Sequence, residues 1–243
     1  KFLACIDAND GTLLWKNSDK ELLDAIASDG RAQHYTTGYS TTCYIKCTND
    51  HIFFAGPQRE KLVVASTTDG KLAWTYPMGN LQLVLRDDAI WAAGFAGAGD
   101  GSTILSQKSK SGVRLEYETG NVLDEFPARR ACTRATGCVD SVFFRANGGT
   151  VRVLTDTLTA QHIDPMRPPC QDGVIISNGH LYWGPWMCGC QLSLYGNIAL
   201  APSNNPHNET VDVYHDALTM GENIESVEPL GAYSGDWSNY LGN

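Results

Sequence analysis

Apolar positions in this chain fall into short runs that alternate with polar residues or read almost continuously apolar, each closed by Asp, Asn, Gly or Ser. That is the signature of short strands joined by tight turns. One pattern recurs in order: "DHIFF" from Asp50, "DAIWA" from Asp88, "DSVFF" from Asp140 and "GHLYW" from Gly179. Each has a turn former, a variable residue, an aliphatic residue and then an aromatic one. The aromatics Phe53, Trp91, Phe143 and Tyr182 stand 38, 52 and 39 residues apart. A second pattern interleaves with the first. "CIDANDGTLLW" ends at Trp15, "VASTTDGKLAW" ends at Trp74, and a weaker copy, "LEYETGNVLDEF", ends at Phe126. Each reads as strand, tight turn with Gly where φ must be positive, and strand. "VRVLTDTLTAQHI" keeps that shape without the Gly.

Together the two patterns make a unit of about 40 to 55 residues holding four short strands, the period of a propeller blade. Residues 1–16 supply the last two strands of one blade. Residues 35–76, 77–126 and 127–163 supply three fuller blades, and 164–202 most of another. The predicted fold is therefore all-β: a partial propeller over 1–202, with 203–243 as a linker and the start of a further blade. One helix is predicted at "SDKELLDAI", with Ser18 as N-cap, Glu21 completing a capping box, and Leu22, Leu23 and Ile26 as its apolar face. "GFAGAGDGST", Gly94 to Thr103, reads as an inter-strand loop, since it lacks the spacing of a dinucleotide or phosphate loop.

Composition narrows the function classes. Hydrophobic residues make up 42% of the 243, enough for a substantial core. A formal net charge of -9 argues against a nucleic-acid partner and against docking on anionic lipid. No apolar run approaches the roughly 18 residues of a membrane span. The opening "FLACIDANDG" reads as strand and turn, so the chain is expected to begin inside a fold. Eight Cys is a high and even number, and no Cys-x-x-Cys occurs among them. They admit disulfides, free buried thiols or a metal site, with disulfides favoured by compartment. Cys43 and Cys47 are four apart, Cys132 and Cys138 six, Cys188 and Cys190 two.

The Asp-x-x-x-Gly-x-x-x-Trp turns resemble the repeats of pyrroloquinoline-quinone (PQQ)-type β-propellers, the quinoprotein alcohol dehydrogenase-like superfamily. The series "RRACTRATG" (129–137), "RPPCQDGVIISNGHLYWGP" (167–185) and "CGCQLSLYGNIALAP" (188–202) is similar to a subgroup of large bacterial multidomain proteins carrying such a propeller. "PLGAYSGDWSNYLGN" (229–243) resembles their linker and the opening of a further blade. The resemblance implies an eight-bladed ring of which this chain is about half. The remaining half would come from the same polypeptide or a partner chain, in a periplasmic or extracellular setting. It also implies that Cys132, Arg134, Cys170, Cys188 and Cys190 recur as a set, with two inter-strand disulfides among the four Cys. A thiolate site for zinc or copper on those four, or a strained bridge between Cys188 and Cys190, are the other readings.

A quinoprotein dehydrogenase of this family binds PQQ with calcium or a lanthanide, uses an Asp base, and in many members stacks two adjacent Cys on the cofactor. Here no two Cys are adjacent, Gly189 separates Cys188 from Cys190, and no Glu/Asn/Asp metal set is placed by motif. There is neither a Gly-x-Ser-x-Gly elbow nor a His-Glu-x-x-His pair. No catalytic residue, metal ligand or cofactor is assigned. His51 and His180 hold matching blade positions and read as structural, and Asp7, Asp69 and Asp156 as turn caps. Arg129, Arg130, Arg134 and Arg145, four Arg within seventeen residues of an acidic chain, are the candidate ligand site, lining an axial mouth suited to carboxylate or phosphate. The expected function is a ligand-binding or scaffolding propeller. The alternatives are a PQQ-dependent alcohol dehydrogenase-type oxidoreductase domain with calcium, or a propeller docking a c-type cytochrome domain.

Overall fold

Strands buried on both faces must be apolar on both faces, and the second strand of each repeat is. In "HIFFA" Phe53 faces one side, Phe54 the other, and both are buried. The computed structural model describes residues 2–26, 44–56, 59–96, 108–130, 133–146, 149–164, 166–169, 172–185 and 196–202. One compact unit spans Lys1–Pro202 and a second Ser203–Asn243, the latter outside the described residues.

The described chain forms sequential antiparallel sheets. The first is a hairpin, β1 (Leu3–Ile6) with β2 (Leu13–Asn17). After a short helix, α1 (Lys20–Ile26), come three four-stranded sheets. One runs β3 (Tyr44–Cys47), β4 (His51–Ala55), β5 (Leu62–Ser66), β6 (Leu72–Tyr76). The next runs β7 (Gln82–Leu85), β8 (Ile90–Ala93), β9 (Ser111–Leu115), β10 (Val122–Pro127). The last of the three runs β11 (Thr136–Gly137), β12 (Ser141–Ala146), β13 (Gly149–Leu154), β14 (Ala160–Asp164). A three-stranded sheet, β15 (Ile175–Ser177), β16 (His180–Trp183) and β17 (Ile198–Leu200), closes the described part. In every sheet the strands lie side by side in chain order, which is the up-and-down construction of propeller blades. The recurring Asp/Gly-x-aliphatic-aromatic motif opens β4, β8, β12 and β16, the second strand each time.

The cores lie between sheets. Phe53, Val64, Trp74, Leu83, Ile90 and Leu115 fill the space between the β3–β6 and β7–β10 sheets. Trp91, Phe126, Val142, Phe144 and Val153 fill the next gap. Leu22 of α1 is fully buried with Phe54, Val63 and Ala65 on the other face of the β3–β6 sheet. Phe143, Val174 and Trp183 join the last two sheets. The helix is capped by Asp19 rather than by Ser18: Asp19 Oδ1 accepts the Glu21 N–H at 2.8 Å, and Asn17 Oδ1 accepts the Asp19 N–H at 2.7 Å. The helix begins at Lys20, so Asp19, not Ser18, occupies the N-cap position from which a side-chain oxygen reaches the amide two residues on.

Neighbouring sheets are locked by tryptophans. Trp15, on the last strand of its sheet, lies over Gly70 in the β5–β6 turn, where an added Cβ would overlap the ring. Its indole N–H donates to Thr67 O at 2.6 Å. Trp74 repeats this one sheet on: its ring covers Gly120, and its N–H donates to Tyr117 O at 2.8 Å. The glycines also hold φ of +69° and +70°. The third station is built differently. The residue four past Gly120, aligned with Trp15 and Trp74, is Asp124; Phe126 lies two residues further on. The bulge between Val122 and Asp124 matches those of the two earlier hairpins, so Asp124 holds the plug position. Phe126 turns inward, packing on Trp91 at 5.1 Å. Asp124 pairs with Arg114 at 2.6 Å, and Arg114 with Asp88 at 2.9 Å. The turn on the next sheet has no tryptophan to receive, and its glycine position holds Leu158, at φ 58°. Leu158 N donates to Leu154 O at 3.0 Å, the same turn bond made by Gly11, Gly70 and Gly120.

Trp74→Ala removes a buried indole from an inter-sheet lock and is expected to cost about 3–5 kcal/mol in urea unfolding. Gly120→Ala, which meets both a positive φ and the Trp74 ring, is expected to destabilise by more than about 1 kcal/mol. Leu158→Gly relieves a positive φ but removes a half-buried side chain packed on the Trp91–Phe126 cluster, so it is expected to destabilise by about 1–2 kcal/mol in the same unfolding assay.

Candidate anion-binding site

The first strands of successive sheets converge. Lys46 of β3 donates from Nζ to Leu83 O of β7 at 2.6 Å, which ties two sheets at that edge. A cavity of about 240 Å³ opens there, lined by Tyr44, Ile45, Lys46, Gln82, Leu83 and Arg134. It continues into a wider, shallower opening of about 520 Å³ that adds Cys47 and the Thr136–Gly137 segment of β11. Three sheets therefore contribute their first strand, or the residues leading into it, to one inner surface.

The charge on that surface is of one sign. Lys46 and Arg134 line both openings, and among the described residues no carboxylate lines either. Burial, and secondarily the Arg134 charge, holds the Lys46 ammonium below its usual value of 10.5. Two cations held near each other are suited in chemistry to a compact anion: the guanidinium offers a planar fork and the ammonium a point charge. Gln82, 5% exposed, adds an amide to the same wall.

The four arginines of the sequence cluster have different places. Arg134 is exposed and lines the cavity. Arg129 is 1% exposed and braces the β7–β10 sheet. Its Nε donates to Ala93 O at 3.1 Å and its Nη2 to Asn80 Oδ1 at 2.9 Å, while the guanidinium lies 5.3 Å from the Phe95 ring centre. Its backbone bridges to Phe95. Arg145 is buried in β12, and its carbonyl accepts the Arg130 N–H at 2.6 Å. Arg130 is half-buried. Clustering in sequence thus does not carry over to clustering at the cavity: Arg129 and Arg130 follow the last strand of one sheet, Arg134 leads into the first strand of the next, and Arg145 lies on that sheet's second strand. Lys46 escaped the sequence reading: "YIKC" carries no motif, and its relevance comes from β3 being the inner strand of its sheet.

Cys47 is exposed and carries a free thiol, as do Cys5 and Cys138 among the described residues. Cys138 donates to Asp140 Oδ1 at 3.2 Å. Cys43, Cys132, Cys170, Cys188 and Cys190 lie outside the described residues. His51 is buried, its Nε2 3.7 Å from Glu118 Oε2, and His180 Nδ1 lies 2.8 Å from Asn178 O. Asp7 Oδ1 accepts the Asn9 N–H at 2.8 Å and Asp69 Oδ1 the Lys71 N–H at 3.0 Å, both capping turns. No helix among the described residues is long and apolar enough to cross a membrane.

No family model matches the chain, and no curated protein matches it. Solved structures similar to it include BamB from Moraxella catarrhalis, at 11% identity and a TM-score of 0.42 over 57% of this chain and 44% of that one. The computationally designed Ika8 protein is similar at 11% identity and a TM-score of 0.42 over 72% of this chain and 46% of its own. Hsv2 from Kluyveromyces lactis is similar at 9% identity and a TM-score of 0.37, over 56% and 38%. The chain spans less than half the length of each of these structures. The assignment of the sheets as propeller blades rests on their strand order and on the inter-sheet locks described above.

The lowered Lys46 value has a defined sign in stability. Between the folded value and 10.5 the unfolded chain holds the extra proton, so stability rises with pH across that window. Arg134→Gln is expected to raise the Lys46 value and shrink that rise. Titration of the Lys46 signal by carbon-13 NMR after reductive methylation, together with urea unfolding at neutral and alkaline pH, checks both.

Proposed function

We propose that this chain is a non-catalytic, ligand-binding propeller segment of a larger extracytoplasmic protein, with Lys46 and Arg134 as its anion receptor. The observation that carries the reading is the convergence of these two cations on a cavity of about 240 Å³ that no carboxylate among the described residues lines, in a chain of net charge -9. A surface of such overall charge repels anions elsewhere, so a local cationic cavity is selective by position. The ligand class is a small carboxylate or phosphate. The eight cysteines favour the extracytoplasmic setting.

The two cations lining the described cavity suit the carboxylates that a quinone cofactor carries but would repel its calcium, for which the described lining offers no carboxylate ligand. No reaction step is derived through such a group.

Calorimetric titration with inorganic phosphate and with citrate tests the reading. Saturable binding of either at low ionic strength is expected, weakening as salt rises. Lys46→Gln or Arg134→Gln should each weaken it roughly 10- to 100-fold, the range of one charge-assisted hydrogen bond lost. Binding of neither anion, or binding equal in the wild-type chain and both variants, would overturn it.

A further inference from the structure

We propose that Lys46 captures a small 2-oxo acid covalently, its amine closing on the ligand's carbonyl as an imine while Arg134 holds the neighbouring carboxylate. This role rests on the anion-receptor reading above and names the ligand class of that same site.

Lys46 is not placed like a surface lysine. Its Nζ donates to Leu83 O at 2.6 Å across the seam between two sheets, so the amine is held at one point of the cavity wall. One hydrogen is spent on that carbonyl, and the rest of the nitrogen is left to the cavity that Lys46 lines. Among the described residues no carboxylate pairs with it. Two exposed lysines show the contrast: Lys71 Nζ lies 2.8 Å from Asp69 Oδ2, and Lys20 Nζ 3.1 Å from Asp24 Oδ2.

A carboxylate partner keeps an ammonium charged, whereas burial beside a second cation favours the neutral amine. Asp69 accordingly holds Lys71 above its usual value, while burial first, and the Arg134 charge second, hold Lys46 below it. Only the neutral amine has the lone pair that attacks a carbonyl carbon. A lysine that is desolvated, or set next to another cation, is activated for that attack. Lys46 meets both conditions, and its anchored nitrogen meets them at a fixed place.

Arg134 supplies the hold on the ligand. It lines the same cavity, and no hydrogen bond or ion pair to a described residue occupies its guanidinium. The planar fork matches a carboxylate, and in a 2-oxo acid the carbonyl carbon is the atom next to that carboxylate. An acid held by Arg134 therefore offers its carbonyl to the amine on the facing wall. The chemistry balances without oxidant or reductant. The Nζ lone pair forms the carbon–nitrogen bond, and one amine hydrogen and one solvent proton leave with the carbonyl oxygen as water. The protonated imine keeps one N–H for Leu83 O. Hydrolysis reverses the reaction, so the site releases what it binds.

The test treats the full chain with glyoxylate at neutral pH and cyanoborohydride, which reduces the imine to a stable carboxymethyl amine. Peptide mass spectrometry then maps the modified lysines. Acetaldehyde, a carbonyl without a carboxylate, is the comparison probe, and Lys71 in the same molecule is the internal standard. Lys46 is expected to react with glyoxylate roughly 10-fold or more faster than Lys71. Its preference for glyoxylate over acetaldehyde should exceed that of Lys71, and Arg134→Gln should abolish that excess. Equal labelling of Lys46 and Lys71 overturns the proposal, as does a Lys46 that takes both aldehydes alike; both outcomes are read in the unsubstituted chain. Titration with inorganic phosphate separates this role from the reading beneath it. Phosphate binding without a glyoxylate preference at Lys46 refutes the imine and leaves the anion receptor, whereas neither phosphate binding nor glyoxylate preference removes both.

Discussion

Everything in this molecule depends on a sheet that cannot stand alone. Each four-stranded unit is apolar on both faces, so a lone sheet would leave one of them wet, and only stacking buries both. Close stacking of twisted sheets needs a spacer that is flat, large and anchored at one end. Indole meets all three conditions, because its area covers the turn of the next sheet while its N–H finds a carbonyl there. Trp15 on Gly70 and Trp74 on Gly120 are two instances of one joint. The joint works only if the receiving residue has no side chain, which is why a backbone turn on one sheet and an aromatic on another behave as a single structural unit.

Much of this was legible in the sequence, for a physical reason. Strands buried on both faces produce dense apolar pentamers, and the turns between them require Asp and Gly at fixed offsets. Motif spacing therefore located the second strand of each sheet and the hairpin that ends it. Details governed by register were less legible. Phe126 sits where the eye expects the third plug, but the hairpin keeps the register and bulge of the two before it, so the plug position, four residues past the turn glycine, belongs to Asp124. The helix cap moved by one residue because the helix begins at Lys20, which puts Asp19 at the capping position over the Glu21 amide.

The inner surface was the least legible feature, because it is assembled from residues far apart in the chain. Lys46 and Arg134 belong to different sheets, and no local pattern links them. The arginine cluster around Arg129 drew attention by density, yet most of that density is structural: Arg129 is buried under Phe95 and shared among backbone and amide oxygens. A cation in a propeller can brace or it can bind, and its place in the sheet order decides which. Residues on first strands face the inner surface; those leaving last strands, such as Arg129, cross between sheets.

The ionic station at Asp124 has a consequence for how the chain orders its parts. Each sheet carries a plug for the sheet that follows and a receptor for the sheet before, and the two need not be of the same kind. The β7–β10 sheet receives an indole at Gly120 yet presents a carboxylate at Asp124. Exchanging it with the sheet before would press Trp74 against Leu158 and set Asp124 over Gly70, while Gly120 would still receive Trp15. The repeats are therefore keyed, like links that couple in one order only. A chain built of near-identical modules acquires in this way an address for each module, written in one residue on either side of every joint.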